Sequence, residues 1–553
     1  MVHGIFLFNF YNSNQKSNPC SAGDPMDETR SIVDRNIVRL EESIRSLEDS
    51  IRALKSRRNE LSPISRLPAE ILCNIFSLRI LCSPDSPESW NFSQVSHRWR
   101  SLALSAPELW TNIPLSYPRW TREMLIRSKM AKLTIRSAIF IMDLKSIETI
   151  RSCLYEMNRV EAIDITCRIP ELALEEIFRD LPKSAPQLRT LRIDRRSPAA
   201  YLSVTAFSIH EDFLYDTERL QHVELFNCKI SWNSRLLSGL TRLTLEVEDA
   251  KSSINQFLHA LQRMPALTEL RLKDSIPDDP EGLSTYPVVD LPCLRLLSIS
   301  SRVGSLTTVL HHITFPHSAI LCLACKENQS VQINFSNFLS VLATKFLSSL
   351  VFRSLSLVGF CNAETHGLEF ALWTTATIRD YLSFSENSQS QLHLVLTWPP
   401  SPQHSHINAL TCLFDVMSFP FLTQLHISTY NYIDSQTWVK TFGKLPLLER
   451  VGVWSSAMRW FLEALVYKTK AAEKSEIAYR NVTFPKLRFM SLVEANFYSY
   501  PTSLHILLDC LMERCERNAE IQVLHFDGYC DISPNDVERL KEIVVDVIGD
   551  GVD

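Results

Sequence analysis

The side chains best suited to chemistry in this 553-residue sequence are thiols and imidazoles. Cys322-x-x-Cys325 has metal-ligand spacing, but a structural zinc site takes four ligands, and no second Cys or Cys/His pair stands at a zinc-finger interval. The two thiols therefore read as core residues. His311-His312 with His317, and His404 with His406, could each reach a metal, yet neither group has a patterned carboxylate companion. The acidic pairs Glu175-Glu176 and Asp278-Asp279 could support hydrolysis in principle, but their surroundings read as solvated turns and helix faces. Neither G-x-S-x-G nor H-E-x-x-H occurs. Glycine is scarce: 12 of 553 residues, about 2% where about 7% is usual, and only Gly549 and Gly551 lie within three residues of each other. Loops that cradle phosphates need clustered glycines so that backbone N–H groups can approach the ligand. The expectation is a chain that is not an enzyme, with no catalytic residues, no cofactor and no metal.

The elements around these residues belong to a chain too long for one hydrophobic core, so several domains or a repeat architecture are expected. Apolar residues make up 45% and charged residues 22%, with formal net charge −5. That composition excludes wholesale disorder and gives no basic footprint for nucleic acid. The 14 cysteines are scattered without regular spacing, which suits reduced thiols and an intracellular place, cytoplasm or nucleus. The N-terminal apolar run lacks a basic flank and a small-residue cleavage site, so no signal peptide is expected, and residues 1–26 read as a disordered tail with Met26 an alternative start. No stretch of 18 apolar residues occurs; the segment 346–361 is broken by Arg353 and serines, so no membrane span is expected.

From Val33 an apolar series runs through Ile37, Leu40, Ile44, Leu47, Ile51, Leu54 and Leu61, failing only at Arg58. This heptad seam carries Ile at a and Val or Leu at d, the arrangement that favours parallel two-stranded coils. The spacing predicts a coiled-coil helix over residues 27–62, about 50 Å long at 1.5 Å per residue, and a possible homodimer. The bland alternative is a helix that packs on its own chain.

Next comes Leu67-Pro68-Ala69-Glu70-Ile71-Leu72-Cys73-Asn74-Ile75-Phe76, in which Pro68 suits a first helical turn and Glu70 its positive end. Ile71, Leu72, Ile75 and Phe76 form one apolar stripe, and Phe92, Val95, Trp99 and Leu102 a second, so two short helices are predicted with the polar loop Cys82–Ser89 between them. Leu67-Pro68-x-Glu70-Ile71-Leu72-x-x-Ile75-Phe76, followed by Val95-Ser96-His97-Arg98-Trp99-Arg100-Ser101-Leu102-Ala103, resembles both halves of the F-box motif. With Ala106-Pro107-Glu108-Leu109-Trp110 and the preceding coil, it is similar to the F-box-like proteins of mushroom-forming (basidiomycete) fungi. One departure is visible: the usual Leu-x-x-x-Asp-Leu link is replaced by the longer stretch Arg79–Asn91. The resemblance implies an F-box over residues 63–115 that docks a Skp-type adaptor, and through it a cullin. Carried over position by position, the adaptor-binding residues are Leu67, Pro68, Glu70, Ile71, Leu72, Ile75 and Phe76, with Val95, Trp99 and Leu102 as module core.

Beyond residue 130 an L-x-x-L-x-L phrase recurs, as in Leu188/Leu191/Ile193, Leu220/Val223/Leu225, Leu240/Leu243/Leu245, Leu267/Leu270/Leu272 and Leu294/Leu297/Ile299. Later copies are Leu422/Leu425/Ile427, Leu448/Val451/Val453 and Leu487/Met490/Leu492, with weaker phrases near 320, 352 and 521. These spacings bracket the leucine-rich-repeat period, so an α/β class is expected: an irregular solenoid of strand plus helix units over 130–530, then a C-terminal helix and tail over 531–553. Residues between the paired leucines should face outward. Arg192, Glu224, Arg271 and His426 are therefore candidate target-binding residues, joined by Tyr430, Tyr432 and Trp454 after the later strands, where interface aromatics concentrate binding energy. The resemblance makes the chain the substrate-recognition subunit of an SCF-type ubiquitin ligase, with a protein target, no nucleic acid and no membrane. The alternative is a repeat scaffold that binds proteins without any ligase.

Overall fold

The computed structural model describes residues 25–83, 86–139, 144–167, 175, 182–196, 205–211, 213–247, 253–277, 286–327, 335–376, 390–400, 406–429, 433–443, 445–466, 482–497, 501–528 and 530–549. The expected tail, residues 1–26, lies almost wholly outside them. The chain divides into two units, Met1–Leu109 and Trp110–Asp553.

The first unit is helical. Helix α1 spans Pro25–Glu60, with Asp27 and Glu28 in its first turn and Arg57 and Arg58 in its last, each suited to the helix dipole. Pairs one turn apart, such as Arg45–Glu41 at 3.9 Å and Arg52–Glu48 at 3.3 Å, brace its solvent side. Helix α2 covers Ala69–Cys82 and α3 covers His97–Ser105, with a 3₁₀ stretch Pro87–Gln94 between them. Leu72, Phe76, Ile80, Trp90, Phe92 and Ala103 form the small core. Within it Phe76 stacks on Phe92 with ring centroids 4.2 Å apart, and the Trp99 ring lies 5.1 Å from that of Phe76.

The predicted second helix does not run unbroken from Phe92 to Leu102. Ser96 is extended, at φ −152° and ψ 161°, and its Oγ accepts from the Trp99 N–H at 3.2 Å, so it caps α3 and ends the preceding turn. Val95 falls at this break and is exposed, not core.

The second unit is strand-rich. Among the described residues, seventeen strands form one sheet. From one edge the strands are Asn112–Pro114, Leu133–Ile139, Val160–Cys167, Thr190–Asp194, His222–Phe226, Arg242–Glu246, Glu269–Lys273, Leu296–Arg302 and Ile320–Lys326, each parallel to the one before. The phrase leucines sit on these strands facing the core: Leu191, Val223, Leu243, Leu270 and Leu297 have no exposed surface. Helices follow many strands, and their sequence explains their starts and faces. Ile254–Gln262 opens with a Ser253–Gln256 capping box and buries Ile254, Phe257, Leu258 and Leu261. From there each helix packs on the next, through Val303–His312, Ser336–Leu342, His406–Val416, Ser435–Thr441, Ser455–Leu465 and Pro501–Glu516.

Strand plus helix does not hold throughout. Ile320–Lys326 pairs in parallel with Leu392–Trp398, which is antiparallel to His366–Trp373, itself antiparallel to Ser354–Cys361. The chain thus skips ahead, doubles back as a meander, and resumes when Ser354–Cys361 pairs in parallel with Gln424–Thr429. The reversal is built by Asn362, whose Oδ1 accepts from the N–H groups of Glu364 at 2.9 Å and Thr365 at 2.6 Å. Gly367 lies opposite Phe360, and a Cβ there would overlap the phenyl ring. Arg450–Trp454, Phe489–Val493, Val523–Asp527 and Asp546–Gly549 complete the sheet in parallel. The last of these is a strand where only helix and tail were expected; the helix itself is Pro534–Lys541. No helix among the described residues is long and apolar enough to cross a membrane.

Candidate docking surface on the helical module

Helix α2 is apolar nearly all round. Its 3.6-residue period sorts the single stripe seen in sequence into two opposed ones. Leu72, Phe76 and Ile80 point inward, with Leu72 and Phe76 at 0% and 1% exposure. Ile71, Ile75 and Leu78, spaced i, i+4, i+7, point outward at 45%, 39% and 63% exposure. An outward apolar row on a helix already buried along its other side is surface that favours a partner over water.

This geometry divides the predicted adaptor-binding set. Ile71 and Ile75 lie on the outward row, Pro68 and Glu70 are exposed at the N-terminal end of α2, and Leu67 is half-buried just before it. Leu72 and Phe76 are module core and cannot contact a partner without the module opening. Trp99 and Leu102 are half-buried, whereas Val95 is exposed. Leu78 was missed, and so was the neighbouring exposed Leu81. Leu78 carries the signal: it continues the row from Ile71 and Ile75 at helical spacing.

The entry to α2 is held from across the module. Arg98 on α3 donates through Nη2 to the Leu67 carbonyl at 2.8 Å, and through Nη1 to the Ser65 carbonyl. Trp90 Nε1 donates to the Leu109 carbonyl at 3.3 Å. Burial, then the Glu108 and Glu70 carboxylates, push the Cys73 thiol up.

The described candidate target-binding residues of the second unit differ in exposure and in their neighbours. Strand register aligns Asp164, Arg192, Glu224, Thr244 and Arg271 in a row. Arg192 is saturated within it, reaching Asp164 at 2.8 Å, Asp194 at 3.0 Å and Glu224 at 3.2 Å. A parallel chain runs from Asp194 through Arg196 at 2.6 Å to Glu246 at 3.2 Å and on to Lys273 at 2.5 Å. Burial alone would raise the Asp194 carboxyl, but hydrogen bonds from Arg196 and the two guanidinium charges outweigh it and hold the group low. Arg192 and Glu224 are thus committed to their neighbours, while Arg271 is exposed.

Further along, the row becomes small and neutral, with Ser356, His426, Gly452 and Ser491 side by side. His426 is buried among them, near Ser356 Oγ at 3.4 Å, and burial pushes its imidazole down to about 4. Its assignment as a target contact is therefore withdrawn, because a side chain 2% exposed is not at the surface to meet a partner. Trp454 is half-buried. Tyr430 and Tyr432 lie outside the described residues.

Of the chemical candidates, His404, Glu176, Asp278 and Asp279 lie outside the described residues. Cys322 and Cys325 share the strand Ile320–Lys326, where an odd spacing sends side chains to opposite faces. Cys325 is wholly buried and its thiol is raised by burial. His312 Nδ1 meets the Thr308 carbonyl at 2.8 Å, His317 Nδ1 the Phe346 carbonyl at 3.2 Å, and His406 Nε2 the Phe360 carbonyl at 3.1 Å. Among the described residues no three His, Cys, Asp or Glu side chains gather to hold a metal ion.

The chain thus has a compact helical module with an outward apolar row, followed in sequence by a long strand-rich unit. Residues 64–116 match the family model described as F-box-like, so this segment is an F-box-like domain. No curated protein matches the chain. Among solved structures, a chain of the "Crystal structure of Rad7 and Elc1 complex in yeast" aligns at 13% identity and TM-score 0.26, over 78% of this chain and 94% of that one. A superposition that loose transfers neither architecture nor partner.

Proposed function

We propose that this chain is a non-catalytic substrate-recognition subunit of an SCF-type ubiquitin ligase, its F-box-like domain docking a Skp-type adaptor and its strand-rich unit holding the protein to be modified. The observation that carries the reading is the pair of opposed apolar rows on α2 within the F-box-like segment. The inner row builds the module; the outer row, Ile71, Ile75 and Leu78, is left for the adaptor. Burying each outer side chain would contribute roughly 1–2 kcal/mol. The parallel strands with buried phrase leucines support an irregular leucine-rich-repeat solenoid, interrupted by the meander at 354–398. The chain then acts by proximity, raising the target's effective concentration near the loaded ubiquitin while the recruited enzyme does the chemistry. Affinity capture of the full chain from cells tests this: adaptor and cullin should co-purify. Capture of partners with neither would favour a scaffold without ligase.

A further inference from the structure

We infer that α1 is one half of a parallel, in-register two-stranded coiled coil whose other half is a second copy of this chain. The inference is independent of the docking proposal. Ile37, Ile44 and Ile51 at a, and Val33, Leu40, Leu47 and Leu54 at d, are each between 47% and 71% exposed. Every residue from Met26 to Arg58 is exposed, so no described part of its own unit covers the seam. A helix of 36 residues in water draws its stability mainly from a packed apolar face, and this face has none of its own.

The chemistry of the seam selects the occupant. Ile at a with Leu at d favours two parallel strands over higher or mixed assemblies. The helix carries eight acidic and eight basic side chains, so two copies side by side do not repel as wholes. In the parallel register the flanking pairs are Asn36 with Glu41, Ser43 with Glu48 and Ser50 with Lys55, none of like charge. In the antiparallel pairing with the fullest apolar overlap, Ile44 meets Leu47 and one flank sets Glu41 against Glu48 twice, a repulsion that two Asp34–Lys55 pairs do no more than balance. Intrahelical ion pairs from Glu41 to Arg45 and Glu48 to Arg52 draw charge away from the seam.

Register has its own device. Arg30 and Arg58 occupy the a positions that bracket the apolar run. Sliding one helix by a heptad would set a guanidinium against Ile37 or Ile51, burying an unpaired charge. In register, both arginines stay at the open ends. Fourteen half-exposed side chains closing on one another remove on the order of 1,000–1,500 Å² from water, the lower part of the range for stable interfaces. Such a dimer is concentration-dependent, and it would carry two copies of α2.

Sedimentation equilibrium on the full chain, from below one to tens of micromolar, tests the inference. The wild-type mass should rise from 63.4 kDa toward twice that value. Ile44→Asp with Ile51→Asp should weaken self-association at least a hundredfold, whereas Ser46→Asp, off the seam, should leave it unchanged. For orientation, Leu40→Cys chains should form a disulfide joining the two substituted positions, identified by mass spectrometry of the linked peptide. A wild-type chain monomeric at tens of micromolar, or a dimer that survives the double Asp change, overturns the coil. Leu40→Cys chains that cross-link to Ile51→Cys chains but not to each other overturn the parallel orientation.

Discussion

Arg98 Nη2 donates to the carbonyl oxygen of Leu67 at 2.8 Å, a bond that spans 31 residues and ties α3 to the turn that launches α2. The same guanidinium reaches the Ser65 carbonyl, so one side chain satisfies two acceptors at the entry to the candidate docking helix. Charged hydrogen bonds are worth more than neutral ones, and these replace contacts a short loop could not make alone. Arg98→Leu should therefore lower the stability of the helical module by about 2 kcal/mol, read as an earlier unfolding transition in chemical denaturation. Unchanged stability would mean that α2 is positioned by its core contacts alone.

The two rows of α2 should respond oppositely to substitution. Phe76→Ala removes a ring that touches Phe92 and Trp99 and should destabilise the module by about 3–5 kcal/mol. Ile71→Ala lies outside that core and should cost less than about 1 kcal/mol. Equal losses in a denaturant series would dissolve the distinction between inner and outer rows.

Acid should weaken the second unit through His426. Its imidazole falls from 6.5 to about 4 on burial, so the folded state disfavours the proton that the unfolded chain accepts. The stability it permits is full above about pH 6.5 and is lost progressively as pH falls toward about 4, by roughly 3 kcal/mol at most. His426→Asn should flatten the melting temperature across that window. A wild-type profile already flat there would show that the site admits a proton or opens to water.

Arg192 and Arg271 look alike in sequence and should not behave alike. Arg192→Ala strands Asp164 and Glu224 and weakens the hold on Asp194, which should cost about 1–2 kcal/mol after allowance for solvent screening. Arg271 is exposed, with a loose 3.6 Å contact to Glu269 and the Cys322 thiol nearby, and Arg271→Ala should fall within about 0.5 kcal/mol of wild type. Thermal melts of both variants give the comparison, and similar losses would contradict the ladder.

What was legible in the sequence follows from period and local chemistry. The leucine phrases marked strands because alternation on a half-buried strand leaves a direct trace. The meander was not legible, since Phe352/Leu355/Leu357 reads like any other phrase and strand direction leaves no mark on hydrophobic spacing. On α2, four apolar residues in adjacent pairs concealed which of each pair faced inward; only the packing of Phe92 and Trp99 against Phe76 decides it. Val95 was misread because Ser96 breaks the helix that its spacing implied. The burial of His426 and the ion pairs of Arg192 were not legible, because an outward position on a strand says nothing of what surrounds it.

The most direct test of the central proposal is titration calorimetry of a purified Skp-type adaptor against the full chain and its Ile71→Asp, Leu78→Asp variant. A carboxylate forced into an apolar interface costs several kcal/mol, so the account predicts tight binding by the wild type and at least about a hundredfold loss in the variant. Circular dichroism should remain unchanged, because both side chains lie outside the module core. Undiminished adaptor binding by the folded variant, or no binding by the wild type, would contradict the assignment of the outer row of α2.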